Sequence, residues 1–143
     1  MGPRAKSNAL PKVRTTQQLI DDAKRRIELV TCEEAARRLD VEDPPPVLID
    51  VREEYEYELS HIGGSVHICR GTLEMSVEHD YPDRSTALIL YCGRGDRSAL
   101  AGGTLRRLGY RRVASIDGGL HAWQERNLPV VVPAEQRGPG SGI

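Results

Sequence analysis

Four short apolar runs, each followed by a segment of helical character, constrain the fold more than any other feature of the chain. They are Val47-Leu48-Ile49-Asp50-Val51, Ser65-Val66-His67-Ile68, Ala87-Leu88-Ile89-Leu90-Tyr91 and Val113-Ala114-Ser115-Ile116. The longer runs are apolar almost throughout, the pattern of strands buried on both faces of a parallel sheet. Glu53 to Leu59 and Arg70 to Val77 read as short helices, and His79 to Ser85 as a loop holding Pro82. Ala99 to Leu108 reads as a longer helix closed by Gly109, and Gly118 to Arg126 as a last helix carrying Trp123. Strand then helix, repeated, predicts an α/β domain: a mostly parallel, doubly wound sheet with helices on both faces.

Upstream, Thr15 to Leu29 reads as a helix with Leu19, Ile20, Ala23 and Ile27 on one face. Thr31-Cys32-Glu33-Glu34 has capping-box spacing and opens a second helix through Ala35, Ala36 and Leu39. Asp43-Pro44-Pro45-Pro46 ends that unit, and Pro129 to Val132 reads as extended. The expected organisation is an N-terminal tail and helical extension over 1–30, one domain over 31–133 and a disordered Gly/Pro-rich tail over 134–143. Phe is absent, and one Trp and five Tyr supply all the aromatics, so the core must be mainly aliphatic.

Twenty basic residues against 21 acidic ones leave no net field to draw nucleic acid or an anionic membrane, and neither partner is expected. No stretch approaches a membrane span, and Met1 to Leu10 has no signal-like apolar run. Cys32, Cys69 and Cys92 are widely spaced and odd in number, which argues against disulfides or a zinc site and predicts a reducing cytoplasm. His67, His79 and His121 lack metal-ligand spacing.

The run Cys92-Gly93-Arg94-Gly95-Asp96-Arg97-Ser98 joins a buried strand to a helix. A cysteine there meets free backbone N–H groups and the positive end of a helix dipole, and both favour a thiolate. Four readings compete. One is nucleophilic sulfur chemistry in a six-residue anion cradle. A cysteine phosphatase or arsenate reductase needs Cys-x5-Arg, whereas Cys92 and Arg97 are one residue closer. A dinucleotide site needs G-x-G-x-x-G/A, but Ser98 takes the third position and too few strands follow. The last is a core cysteine, which would not require two glycines and an arginine. Arg94-Gly95-Asp96 also spells an integrin-binding tripeptide, read as chance in such a chain.

Three segments between residues 31 and 132 resemble the rhodanese family of sulfurtransferases. Leu48-Ile49-Asp50-Val51-Arg52-Glu53, with Glu56 and His61-Ile62-Gly63-Gly64-Ser65, is similar to the family's first signature. Cys92-x-x-Gly95-x-Arg97-Ser98 is similar to its active-site loop, and Gly118-Gly119-Leu120-x-Ala122-Trp123, ending near Leu128-Pro129, to its second signature. The resemblance implies a three-layer fold around a five-stranded, mostly parallel sheet, with the first helix an extra N-terminal element.

It further implies that Cys92 takes a sulfane sulfur from a thiosulfate-like donor, holds it as a persulfide and passes it to cyanide or a thiol. Gly93, Arg94, Gly95, Asp96, Arg97 and Ser98 would form the cradle, with Arg97 bracing it or binding the donor's charge. Asp50 and Arg52 would support the site as an ion pair or by hydrogen bonds to the loop. No metal or organic cofactor is needed. The alternatives are a binding or regulatory module on the same fold, and a relay that hands sulfur to a protein acceptor. The oligomeric state is left open.

Three departures from the family pattern are Ser60 in place of Gly, Cys69 in place of Pro, and Asp96, an acid that would oppose a loop thiolate. Arg94 reads as a cation for an anionic donor or as a solvated charge. Cys32 reads as a cap-region residue, Cys69 as small and buried or else a resolving thiol for a Cys92 persulfide, His61 as a hydrogen-bonded structural histidine and Trp123 as a core anchor.

Overall fold

The computed structural model describes Lys12 and residues 14–133. The expected tail over 134–143 and most of the N-terminal tail lie outside these residues. Helix α1 spans Thr16–Arg26, followed by β1 (Glu28–Val30), α2 (Cys32–Val41), β2 (Val47–Asp50), α3 (Glu54–Leu59) and β3 (Val66–His67). A 3-10 turn (Arg70–Thr72) leads into α4 (Leu73–Asp80), then β4 (Ala87–Tyr91), α5 (Asp96–Arg107), β5 (Arg112–Ile116) and α6 (Gly119–Glu125). The strands form one five-stranded sheet in the order β1-β5-β4-β2-β3, and every pairing is parallel.

Alternate side chains of each strand feed two cores. Leu48, Ile89, Tyr91, Ala114 and Ile116 pack with Cys32 and Ala35 of α2 and with Leu120 and Trp123 of α6. Ile49, Leu88, Leu90 and Val113 face the other way, onto Leu73 and Val77 of α4 and Ala101 and Leu105 of α5. The three-layer α/β reading therefore holds. Trp123 is buried, as expected, and its indole N–H donates to the Pro129 carbonyl at 2.9 Å.

Several boundaries differ from the sequence reading; the longer helix, for one, begins at Asp96 rather than Ala99, so Asp96, Arg97 and Ser98 form its first turn. The first helix stops at Arg26, and Glu28–Val30 is an edge strand beside β5. Only Val30 of the three is buried, so the segment reads in sequence as the end of a helix. The segment taken as an extension thus contributes a strand to the sheet. Helix α4 runs on to Asp80, so the loop begins at Tyr81. Pro129–Val132 adds no strand and makes one isolated antiparallel bridge, from Val131 to His61.

Helix α1 packs along α5 through Ile20 and Ala23. The approach is close because α5 offers Gly102 and Gly103 there. A methyl on Gly102 would lie 3.2 Å from both Ile27 Cδ1 and Val113 Cγ1. We expect Gly102→Leu to destabilise the fold by about 1–3 kcal/mol through overpacking, lowering the thermal midpoint. Gly71→Ala, where added carbon meets open space, should leave the midpoint nearly unchanged in the same scan.

Candidate active site

Cys92 follows β4 at the carboxyl end of the sheet, where open parallel sheets bind ligands. Continuing the strand's alternation, it faces the α5 side and is only 1% exposed. Gly95, the N-cap of α5, takes φ +108°, which turns the chain sharply from loop to helix. That turn aims backbone N–H groups at the sulfur. Gly95 donates to Cys92 Sγ at 3.1 Å and Ser98 N at 3.4 Å, and the Ser98 hydroxyl lies 3.4 Å from the same atom. Donors converging at a helix N-terminus stabilise negative charge on sulfur.

The second glycine-bearing segment holds this loop from behind. Leu120 N donates to Cys92 O at 2.8 Å, and His121 N donates to Gly93 O at 2.9 Å. Gly119 sits against the same carbonyls: a Cβ there would lie 2.4 Å from Cys92 O and 2.8 Å from Gly93 O. Gly118-Gly119 is therefore a steric requirement of the cysteine loop, although it lies 26 residues downstream of Cys92, counting from 92 to 118.

The charged residues of the loop take three different roles. The Arg97 guanidinium grips Glu56 of α3 bidentately, at 2.8 and 3.1 Å. Glu56 Oε1 also accepts from Glu53 N at 3.0 Å, so the residue that completes the capping box of α3 also anchors the loop. Hydrogen bonds from Arg97 hold the Glu56 carboxyl below its usual range, and the same bonds hold the Arg97 guanidinium's proton more firmly. Arg97 thus braces the loop. Asp96 is largely exposed and pairs with Lys24 of α1 at 3.4 Å, so its charge is answered by a cation outside the cradle. Arg94 is exposed and has no ion pair among the described residues.

Asp50 and Arg52 stand apart from the loop as a buried ion pair, 2.8 Å from Arg52 Nη2 to Asp50 Oδ2. Arg52 also donates to Ser60 O at 2.6 Å. Of the two supporting roles expected for them, the ion pair is the one formed. His61 Nδ1 donates to Tyr57 O at 2.8 Å and its ring stacks on Tyr57, a structural histidine as read. Cys32 is buried at the start of α2, and burial pushes its thiol up rather than toward a thiolate. Cys69 is partly exposed rather than buried, with Sγ 3.6 Å from Thr72 Oγ1.

Glu56 had appeared only as part of a signature, and Ser115 had appeared only as a strand residue. The Glu53-x-x-Glu56 capping spacing was the one local sign of the first. Buried Ser115 lies with its Oγ 2.7 Å from Ser98 Oγ, and a hydroxyl in an apolar strand was its only sign.

Gly119→Ala should displace the loop carbonyls and cost about 1–3 kcal/mol, read as a lower thermal midpoint with slower alkylation of Cys92. The Glu56 carboxyl is lowered in the folded state. Its contribution is therefore present above the ordinary carboxylate range and lost as pH falls through the folded value. Acid titrations of wild type and Glu56→Gln should converge by less than about 1 kcal/mol as the pH drops, since Arg97 is partly exposed.

Residues 31–126 match the family model of the rhodanese-like domain, more than half of the chain's 143 residues. The tRNA uridine(34) hydroxylase of Erwinia tasmaniensis is 33% identical over 98 residues, 63% of this chain and 28% of that protein. The chain thus spans just over a quarter of that curated relative. Among solved structures, a Rhodopseudomonas palustris protein of unknown function, described as a possible tyrosine phosphatase, is 30% identical. It superposes with a TM-score of 0.75 over 86% of this chain and 100% of its own. The polysulfide-sulfur transferase homodimer of Wolinella succinogenes is 27% identical, with a TM-score of 0.71 over 85% of this chain and 90% of that one. The cysteine loop at the end of β4, the glycine segment that buttresses it and the matched family model agree, and the chain belongs to the rhodanese-like domain family.

Proposed function

We propose that this protein is a sulfurtransferase that moves a sulfane sulfur from thiosulfate or a related donor to cyanide or a thiol through a Cys92 persulfide. The observation that carries the reading is the convergence of Gly95 N, Ser98 N and the Ser98 hydroxyl on Cys92 Sγ. Such donors favour the anion that must act as nucleophile. The Cys92 thiolate attacks the outer sulfur of thiosulfate, a new S–S bond forms, and sulfite leaves with the electron pair of the bond that breaks. The negative charge then rests on the outer persulfide sulfur, within reach of an oxyanion-hole-like set of N–H groups. A thiolate or cyanide acceptor attacks that sulfur, and Cys92 departs as a thiolate, ready for another turn.

Arg94 is the loop cation free to draw an anionic donor, because Arg97 is committed to Glu56. Lys24 offsets Asp96, which reduces the opposition that an acid in the loop would offer the thiolate. The one-residue shortfall against Cys-x5-Arg weighs against phosphatase chemistry. Hydroxylation is the named activity of the whole Erwinia protein, of which this chain spans 28%, and is not carried over. Among the described residues no helix is long and apolar enough to cross a membrane.

Intact mass after exposure to thiosulfate checks the assignment. One sulfur should be added to the wild type, lost again on treatment with cyanide, and never gained by Cys92→Ser. A sulfur adduct that survives Cys92→Ser would sink the proposal.

A further inference from the structure

Ser115 is the fourth of the five residues of β5, Arg112-Val113-Ala114-Ser115-Ile116, whose other buried positions are all apolar. It is 0% exposed, as is Ser98. A hydroxyl buried among aliphatic side chains destabilises a core unless its proton and lone pairs find partners. Its one side-chain hydrogen-bond partner among the described residues is Ser98 Oγ, at 2.7 Å. Ser98 Oγ in turn lies 3.3 Å from Gly95 O and 3.4 Å from Cys92 Sγ.

Counting protons assigns the direction of this chain. If Ser98 donated to Ser115, the Ser115 proton would be left buried without an acceptor. If Ser115 donates to Ser98, both protons are placed, because Ser98 then has Gly95 O and Cys92 Sγ to choose between. An unmade donor buried away from water is costly, and that decides the orientation. Once the sulfur is anionic it is the stronger acceptor, and the Ser98 proton turns to it. Donation from Ser115 into Ser98 Oγ polarises that hydroxyl and strengthens its bond to sulfur.

We infer that Ser115 is a positioning residue for Cys92: it orients and polarises the Ser98 hydroxyl so that its proton stabilises the sulfur anion. The inference rests on Cys92 being the reacting thiol, as proposed above. It gives a strand residue outside the cysteine loop a part in setting that thiol's reactivity. The three hydroxyl and thiol groups form one line from β5 through the first turn of α5 to the end of β4.

The test follows alkylation of Cys92 by iodoacetamide across pH, read on the Cys92 peptide by mass spectrometry so that Cys32 and Cys69 do not contribute. Ser115→Ala should slow the reaction at neutral pH by about two- to tenfold, the worth of one hydrogen bond, and move the profile to higher pH. Ser98→Ala should do the same, and adding Ser115→Ala to it should change nothing further. Ser115→Thr and Ser115→Val differ by a hydroxyl and share any strain from added bulk. The Thr form should therefore react faster than the Val form at neutral pH, even if the alanine variant folds poorly. An unchanged profile in Ser115→Ala, additive effects in the double variant, or equal Thr and Val profiles would overturn the inference. Alkylation needs no sulfur donor, so this result stands apart from the thiosulfate experiment. Failure of sulfur loading with an intact Ser115 effect would reject the transferase reading alone.

Discussion

Leu120 and His121 donate their backbone N–H groups to the carbonyls of Cys92 and Gly93, at 2.8 and 2.9 Å, and the cysteine loop depends on these two bonds. They satisfy loop carbonyls that would otherwise be orphaned, at the N-terminus of a helix whose own first N–H groups lack intrahelical partners. With the carbonyls fixed behind the loop, the N–H groups of Gly95 and Ser98 are left facing the sulfur. Gly119 is the condition for this contact, since any side chain there would collide with Cys92 O. The two glycine-bearing segments are halves of one device: one presents donors to the thiol and the other locks the presenting backbone.

Around this device the charges are separated by task. Arg97 faces Glu56 and fixes the loop to α3, while Asp96 faces Lys24 and ties the start of α5 to α1. The Asp50–Arg52 pair is buried at the end of β2 and holds the Ser60 carbonyl. Tyr91, the residue before Cys92, accepts from Ile62 N and bonds Ser65 Oγ, each at 3.0 Å. Burial first, and the nearby Asp50 charge second, raise the Tyr91 phenol, so it stays a neutral hydrogen-bonding group beside the site. The strand end that carries the cysteine is thereby fixed on both sides by buried hydrogen bonds.

Segments whose structure depends on near neighbours were legible in the chain. The buried strands, the Thr31 cap, the Cys92 turn and the closing helix with Trp123 all follow from periodicity, capping and glycine placement. The edge strand Glu28–Val30 was not legible, because three residues with one buried side chain do not break a helical pattern. Its pairing with β5 is a tertiary event that overrides local propensity. The sign of Asp96 was legible, but its effect was not, because Lys24 is brought to it only by α1 packing on α5.

By itself the sequence determined an α/β sheet, a glycine-bearing turn with Cys92 at its head, and a family, since each is written in short segments whose residues lie within a few positions of one another. Only the tertiary structure decided which arginine is free, which acid is paired with a lysine, and which hydroxyl stands behind the sulfur. Arg97 finds Glu56 across 41 residues, and Ser98 finds Ser115 across 17. Contacts over such separations follow from how strands order themselves and helices pack, which no local spacing encodes. A loop's chemistry is set by partners that reach it through space, and in this protein those partners come from α3, α1, β5 and α6.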